Sequence, residues 1–350
     1  MRYLVIISIF AFVSCSKPTP VEPGPSNPRD YTWQKDSVGD GSYPMTATAI
    51  WASAPNDIFL TVWAGGSLFT GKIWHYNGST WNDFTTKYIE AFPAQTIYQF
   101  EPEGVYGFSK NDVWIVGTKD TSYVSNVVKR GFAMHYNGST WEGFSSPEIL
   151  GLLTVWGKSS SDLWAGGYLG AIYHYNGSSW QRFSLGDSNF VEIINGVAGN
   201  EVYATAFYHD NSIPKDYTTL HRWDGLSWTT IDSTDQNNFD LRFTVADGTI
   251  YSAFGNQVVR RLSSGVWQTA FQASGGSFWW IWSSSVRNIF VIGGGNGENI
   301  YHYNGYDWAR FRQFIDPSNV YYRMCGVNGE IFIVGEALNN MSPMYILHGK

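Results

Sequence analysis

The chain has 350 residues, with 22 basic against 29 acidic side chains and a formal net charge of −7. Aromatic residues make up 17% and charged residues only 15%; there are 17 tryptophans and two cysteines. The acidic balance and the scatter of Lys and Arg exclude a nucleic-acid surface, which needs a basic stripe.

The N-terminal "MRYLVIISIFAFVSC" places Arg2 before an apolar run that ends in small residues and Cys15. The run is too short to span a bilayer as a mature helix and reads as a targeting segment rather than structure. It resembles a bacterial lipoprotein signal, with Phe12-Val13-Ser14-Cys15 as the lipobox. That resemblance implies that residues 1–14 are removed and that Cys15 carries lipid. The protein is then expected in the envelope of a Gram-negative bacterium, anchored at the outer membrane. The following "SKPTPVEPGPSNP" makes residues 15–30 an extended Pro-rich tether. With Cys15 lipidated, Cys325 has no partner for an intramolecular disulfide.

Beyond the tether the chain repeats itself. "IWHYNGSTW" at 73–81 returns as "AMHYNGSTW" at 133–141, "IYHYNGSSW" at 172–180 and "IYHYNGYDW" at 300–308, with looser copies at 220–228 and 259–267. Ahead of each copy stands a polar residue followed by an aliphatic–aromatic pair: Asp57-Ile58-Phe59, Asp112-Val113-Trp114, Asp162-Leu163-Trp164, Glu201-Val202-Tyr203, Thr249-Ile250-Tyr251, Asn288-Ile289-Phe290 and Glu330-Ile331-Phe332. Mixed β-branched and aromatic residues mark strands. Asn-Gly between two strands predicts a type I′ hairpin, with positive φ at both central residues. A repeat of about 40–50 residues with four strands is a β-propeller blade. Residues 31–350 are therefore expected to form an all-β, seven-bladed β-propeller. Six Trp landmarks (Trp81, Trp141, Trp180, Trp228, Trp267, Trp308) follow seven turn landmarks. The missing Trp is Trp33, because the C-terminal "ILHGK" begins a unit that "YTWQKDS" completes. The ring should close by the N-terminal strand joining the C-terminal blade.

The doublets Gly65-Gly66, Gly166-Gly167 and Gly293-Gly294, with spaced pairs such as Tyr175 and Trp180, resemble Kelch-type blades. The chain also resembles uncharacterised propeller lipoproteins of Gram-negative bacteria. Neither resemblance implies a particular function.

The repeated histidine occupies strand three of each blade. Its seven equivalents are His75, His135, His174, Arg222, Arg261, His302 and His348. Arginine is no ordinary metal ligand but donates hydrogen bonds as imidazole does. The common requirement reads as a donor beside the Asn-Gly turn, with no metal held. Each Trp is expected to pack between adjacent blades. Sialidase-type Asp-boxes, a Ser-His-Asp order and a phosphate loop are all missing, and no cofactor is expected.

A ligand site is expected on the face that carries the loops from strand two to three and the blade-to-blade crossings, since variable loops on a rigid scaffold commonly carry function. Nine positions before each turn landmark lie Thr48, Glu103, Leu153, Glu192, Asp240, Trp279 and Tyr321. Two positions further in are Arg242 and Arg323, and lengthened loops should bring Tyr123, Tyr208 and His209 nearby. Carboxylates, arginines and aromatic faces together suit a sugar or peptide; alternatively the charges pair and close the channel. The leading expectation is a monomeric, lipid-anchored module that binds a glycan or envelope protein, centred on Trp279 and Tyr321. The alternatives are a carbohydrate-active enzyme using Glu103, Glu192 or Asp240, and an envelope scaffold.

Overall fold

A computed structural model of the chain describes residues 27–65, 71–94, 99–120, 130–144, 149–186, 190–197, 201–210, 215–234, 242–294, 299–338 and 343–350. These form seven four-stranded antiparallel sheets arranged as the blades of a β-propeller. The first strand of each blade lines a central channel. In order these are Met45–Ala54, Gln99–Ser109, Leu152–Ser159, Phe190–Gly196, Arg242–Ala246, Ser277–Ser285 and Asn319–Val327. The seventh blade takes its outermost strand, Trp33–Val38, from the other end of the chain, paired antiparallel with Met344–Gly349. Trp33 lies opposite Gly349, where a side chain would collide with the indole at 2.7 Å.

Second strands such as Asn288–Gly294 ("NIFVIGG") are nearly continuous apolar runs, buried at six successive positions. A central strand with a neighbouring blade on both faces needs apolar side chains on both. Outer strands such as Trp180–Ser184 are largely exposed, with only Trp180 and Phe183 partly buried. The buried residues fall into seven clusters, and each joins two adjacent blades. The core of this molecule therefore lies between blades. The strand-four tryptophan builds much of it by packing onto the blade before its own. Trp180 meets Trp114 at 6.0 Å, Trp228 meets Trp164 at 5.3 Å and Trp308 meets Phe271 at 4.8 Å between ring centroids.

The repeated Asn-Gly turns differ from the expected type I′ hairpins. Tyr76 pairs with Trp81, so Asn77 to Thr80 form a four-residue loop. Only the glycines (Gly78, Gly138, Gly177 and Gly305) have positive φ, from 92° to 94°. Asn77 Oδ1 accepts the backbone N–H groups of Ser79 and Thr80, each at 3.0 Å, and Asn176 does the same for Ser178 and Ser179. That side-chain cap stabilises an Asx-type turn and removes any need for asparagine to adopt positive φ.

Type I′ geometry occurs elsewhere, between strands one and two of blades five and seven. There Asp247-Gly248 and Asn328-Gly329 have positive φ at both residues, and the strands run on with no register shift beside the turn. Blades one, two, three and six turn through Pro55-Asn56, Lys110-Asn111, Ser160-Ser161 and Val286-Arg287, with no positive φ. Each of these has a bulge next to the turn, at Ala52/Ala54, Gly107/Ser109, Gly157/Ser159 and Ser283/Ser285. A type I′ turn already matches the strand twist, whereas turns of types I and II splay the strands, and a bulge absorbs such a mismatch.

Candidate functional site

The histidines form a structural belt. His75, His135 and His174 bond through Nε2 to Asp57, Asp112 and Asp162 at 2.7, 2.8 and 2.8 Å. His302 bonds Asn288 at 2.9 Å, and His348 bonds Glu330. Arg222 meets Glu201 at 2.7 Å in the same place. Each imidazole also stacks on the aromatic residue of strand two, as His174 does on Trp164 at 4.1 Å. In six of the seven equivalents the donor thus faces the carboxylate or amide at the start of strand two, rather than the Asn-Gly turn; Arg261 instead donates to the Ile231 carbonyl at 3.1 Å, beside Asp232 of blade four. Burial pushes the His302 pKa down to about 3, so it stays neutral in the folded protein. Among the described residues no three His, Cys, Asp or Glu side chains are grouped to hold a metal ion.

The channel mouth is built by a second set of bulges. In five blades one residue of the first strand is left unpaired: Thr48, Glu103, Leu153, Glu192 and Trp279. A bulge re-aims its side chain, and Thr48, Glu103, Leu153 and Glu192 all line the channel. In blade seven the unpaired residue is Tyr322, not Tyr321. The tight Asn328-Gly329 turn removes one bulge, so the equivalent position lies eight rather than nine residues before Glu330. Tyr321 is consequently 3% exposed and packs against Phe314 and Tyr345 in the seam between blades six and seven. Trp279 is half-buried in the same cluster, its indole N–H donating to the Tyr321 carbonyl at 2.9 Å. Neither aromatic is the exposed anchor that the sequence suggests. Tyr208 and His209 lie on a long ribbon of blade four, opposite Tyr217 and Asp216 and outside the channel lining. His209 bonds Asp216 at 2.6 Å. Asp240, Tyr123 and Cys15 lie outside the described residues.

The channel encloses about 400 Å³, and first strands from all seven blades line it. At its mouth two carboxylates and two guanidinium groups lie close enough to act on one another electrostatically. Arg242 and Glu192 make an ion pair across the seam between blades four and five. Arg323 donates to the carbonyls of Thr48 at 2.8 Å and Tyr322 at 3.0 Å, and lies 4.3 Å from the Trp280 ring centroid. Burial lowers its pKa to about 10; neighbouring Arg242 adds to that, while Glu192 and Glu103 oppose it. Glu103 is 8% exposed and accepts the Trp63 indole N–H at 3.0 Å. Trp63, by contrast, is 47% exposed. Sequence reasoning missed it because it sits on a second strand, where periodicity directs attention to buried positions. Alternation gives no signal on such a strand, since five successive residues before Trp63 are buried on both faces.

No family model matches the chain, and no curated protein matches it in sequence. Solved structures match it in fold. YCF48 bound to D1 peptide superposes with a TM-score of 0.64 at 13% identity, over 92% of this chain and 96% of that one. YCF48 from Cyanidioschyzon merolae gives a TM-score of 0.61 at 14% identity, over 91% and 98%. At these identities the likeness is one of fold.

Proposed function

We propose that this propeller is a binding module that holds a polypeptide segment against the channel mouth, with Trp63 as its anchor. One observation carries the reading: a half-exposed indole is fixed by its own N–H to a nearly buried carboxylate, Glu103, beside an Arg–Glu ion pair. A rigid aromatic platform next to preorganised polar groups binds at low entropic cost. The carboxylates at the mouth are occupied, Glu192 by a guanidinium and Glu103 by an indole, which suits holding a ligand better than exchanging protons with one. The fold likeness to a propeller solved with a peptide supports a polypeptide in preference to a glycan.

Anchorage at Cys15 belongs to the same reading and gives the module an orientation. Residues 27–31 join the ring on the face opposite the mouth. There Arg29 bonds Asp307 at 2.8 Å and the His302 carbonyl at 3.0 Å, beside the strand-three-to-four turn of blade six. A lipid on Cys15 would hold that face toward an outer membrane and turn the mouth away from it. The stretch from Cys15 to Asn27, fully extended, would reach about 40 Å.

The test is selection of binders from a random peptide library on the full-length protein. Trp63→Ala should weaken a selected peptide by roughly thirtyfold, as loss of an anchor does. A glycan that binds while no peptide is enriched, or enrichment indifferent to Trp63→Ala, overturns the reading. For the anchor, Cys15→Ala should move the protein from the membrane to the soluble fraction.

A further inference from the structure

One seam of the ring departs from the others. Three residues after the strand-four tryptophan stands an apolar side chain: Phe84, Phe144, Phe183, Ile231 and Phe311, with Phe271 one place later past a bulge. These phenylalanines bridge their own blade to the next. Phe144 touches Trp114 of blade two and Tyr175 of blade three at 5.4 and 5.9 Å. Phe183 touches Trp164 of blade three and Trp223 of blade four at 5.8 and 5.0 Å. In blade seven the same position is Asp36, opposite Ile346 as Phe183 is opposite Ile172. A ring fills five of the other six seams. In blade four a bulge leaves Ile231 packed in the seam and puts Asp232 opposite Leu220, where it meets Arg261 and accepts the Trp267 indole N–H of the next blade. In blade seven a short carboxylate stands in the ring's place.

The result is a groove of about 680 Å³ between blades seven and one, walled by Tyr43, Trp74, Tyr76 and Trp81. Tyr76 and Trp81 lie 5.3 Å apart as a tilted pair. Burial raises the Tyr76 pKa, and the negative field of Asp36 raises it further. Asp40 and Asp83 also line the groove, against one cation, Lys72. Hydrogen bonds from Ser42 hold the Asp40 pKa below its usual value. Lys72 shows what this wall accommodates. Its ammonium lies 2.7 Å from Asp83, 5.2 Å from the Tyr43 ring centroid and 6.0 Å from that of Trp74. Among the described residues the Asp36 carboxylate has no hydrogen-bond partner, so the other half of the groove carries negative charge and aromatic faces with no cation between them.

We propose that the seam between blades seven and one binds an arginine side chain of a partner polypeptide. Its apolar stem would lie where the other seams place phenylalanine, and its planar guanidinium would stack on Tyr76 and Trp81 and meet Asp36. Guanidinium groups favour this combination of ring face and carboxylate. The inference is independent of the reading of the channel mouth.

The experiment is a nuclear magnetic resonance titration of the full-length protein with acetyl-Gly-Arg-Gly-amide, with its neutral citrulline counterpart, and with cellobiose. The arginine peptide should shift the Trp81 indole resonance and bind at least tenfold more tightly than the citrulline peptide, with affinity falling as salt rises. Asp36→Asn should weaken the arginine peptide about tenfold. Asp36→Phe, which restores the repeat, should abolish binding and raise the melting temperature by about 1–3 °C. Equal affinity for arginine and citrulline peptides, binding of cellobiose alone, or unchanged affinity in Asp36→Asn would each overturn the proposal. Because Asp36→Asn keeps the shape of the side chain, the test does not depend on the bulkier variant folding.

Discussion

The outer belt and the channel mouth are built from the same seven strand sets and obey different rules. In the belt, one solution recurs in the five histidine blades: a tryptophan on the preceding blade, an imidazole on a polar residue and on an aromatic ring. Arginine replaces the imidazole in blades four and five, and in blade five it turns to Asp232 of the preceding blade. At the mouth no two described positions in the ring of bulges hold the same pairing: Thr48 reaches the Pro102 carbonyl at 2.9 Å, Glu103 takes an indole, Glu192 takes a guanidinium. Recurring solutions are what seams require, because most seams bury the same kind of surface; the seam at Asp36 is the departure. Different ones are what a single ligand requires, because it meets each blade once.

Four perturbations break or sharpen this contrast. Deleting residues 28–38 should have the largest effect, roughly 10 °C or more off the melting temperature, because it strips one outer strand and its Trp33 from the seam and leaves an open edge. An unchanged melting curve would sink the closure argument. Trp164→Ala comes next: the ring is 2% exposed and touches His174, Phe183, Trp223 and Trp228, so denaturant unfolding should show a loss of about 3–5 kcal/mol. Gly329→Ala should cost about 1–2 kcal/mol. Its φ of 81° is unfavourable for a side chain, and since nothing lies within 4 Å of the added carbon the cost is purely conformational. Trp63→Ala should cost about 1 kcal/mol, chiefly the lost hydrogen bond to the nearly buried Glu103. A larger loss would move Trp63 from the mouth into the belt.

The belt also carries a pH signature. The His302 pKa falls from 6.5 to about 3 on folding. The unfolded chain therefore takes up a proton that the folded one refuses over this interval. The stability contributed by neutral, buried His302 is complete above pH 6.5 and is lost as pH falls toward 3. Melting curves collected across that interval should fall less steeply for His302→Gln than for the parent. A slope identical in both would show that the imidazole is solvated.

Much of the belt was legible before the structure. "HYNGS" and the Trp spacing record a local need that recurs every blade, so one copy explains another. The Trp33 closure followed from the same counting. Tyr321 shows where counting stops. The nine-residue step assumes a fixed total of bulge and turn residues between the two landmarks, and the tight Asn328-Gly329 turn shortens it by one. The clue was in the sequence, since Asn-Gly and Asp-Gly at this turn occur in blades five and seven while Pro-Asn, Lys-Asn, Ser-Ser and Val-Arg stand in blades one, two, three and six. Asp36 was equally visible as "WQKD" among the "W-x-x-F" repeats.

By itself the sequence determined the number of blades, the strand order and the closure of the ring, because hydrophobic period and turn chemistry are properties of a few consecutive residues. Only the tertiary structure decided that Arg242 reaches Glu192, that Trp63 covers Glu103 and that Asp36 opens onto Trp81. Those partners lie in different blades or strands, and their meeting depends on how many bulges each strand accumulates and on how the ring brings neighbouring blades face to face.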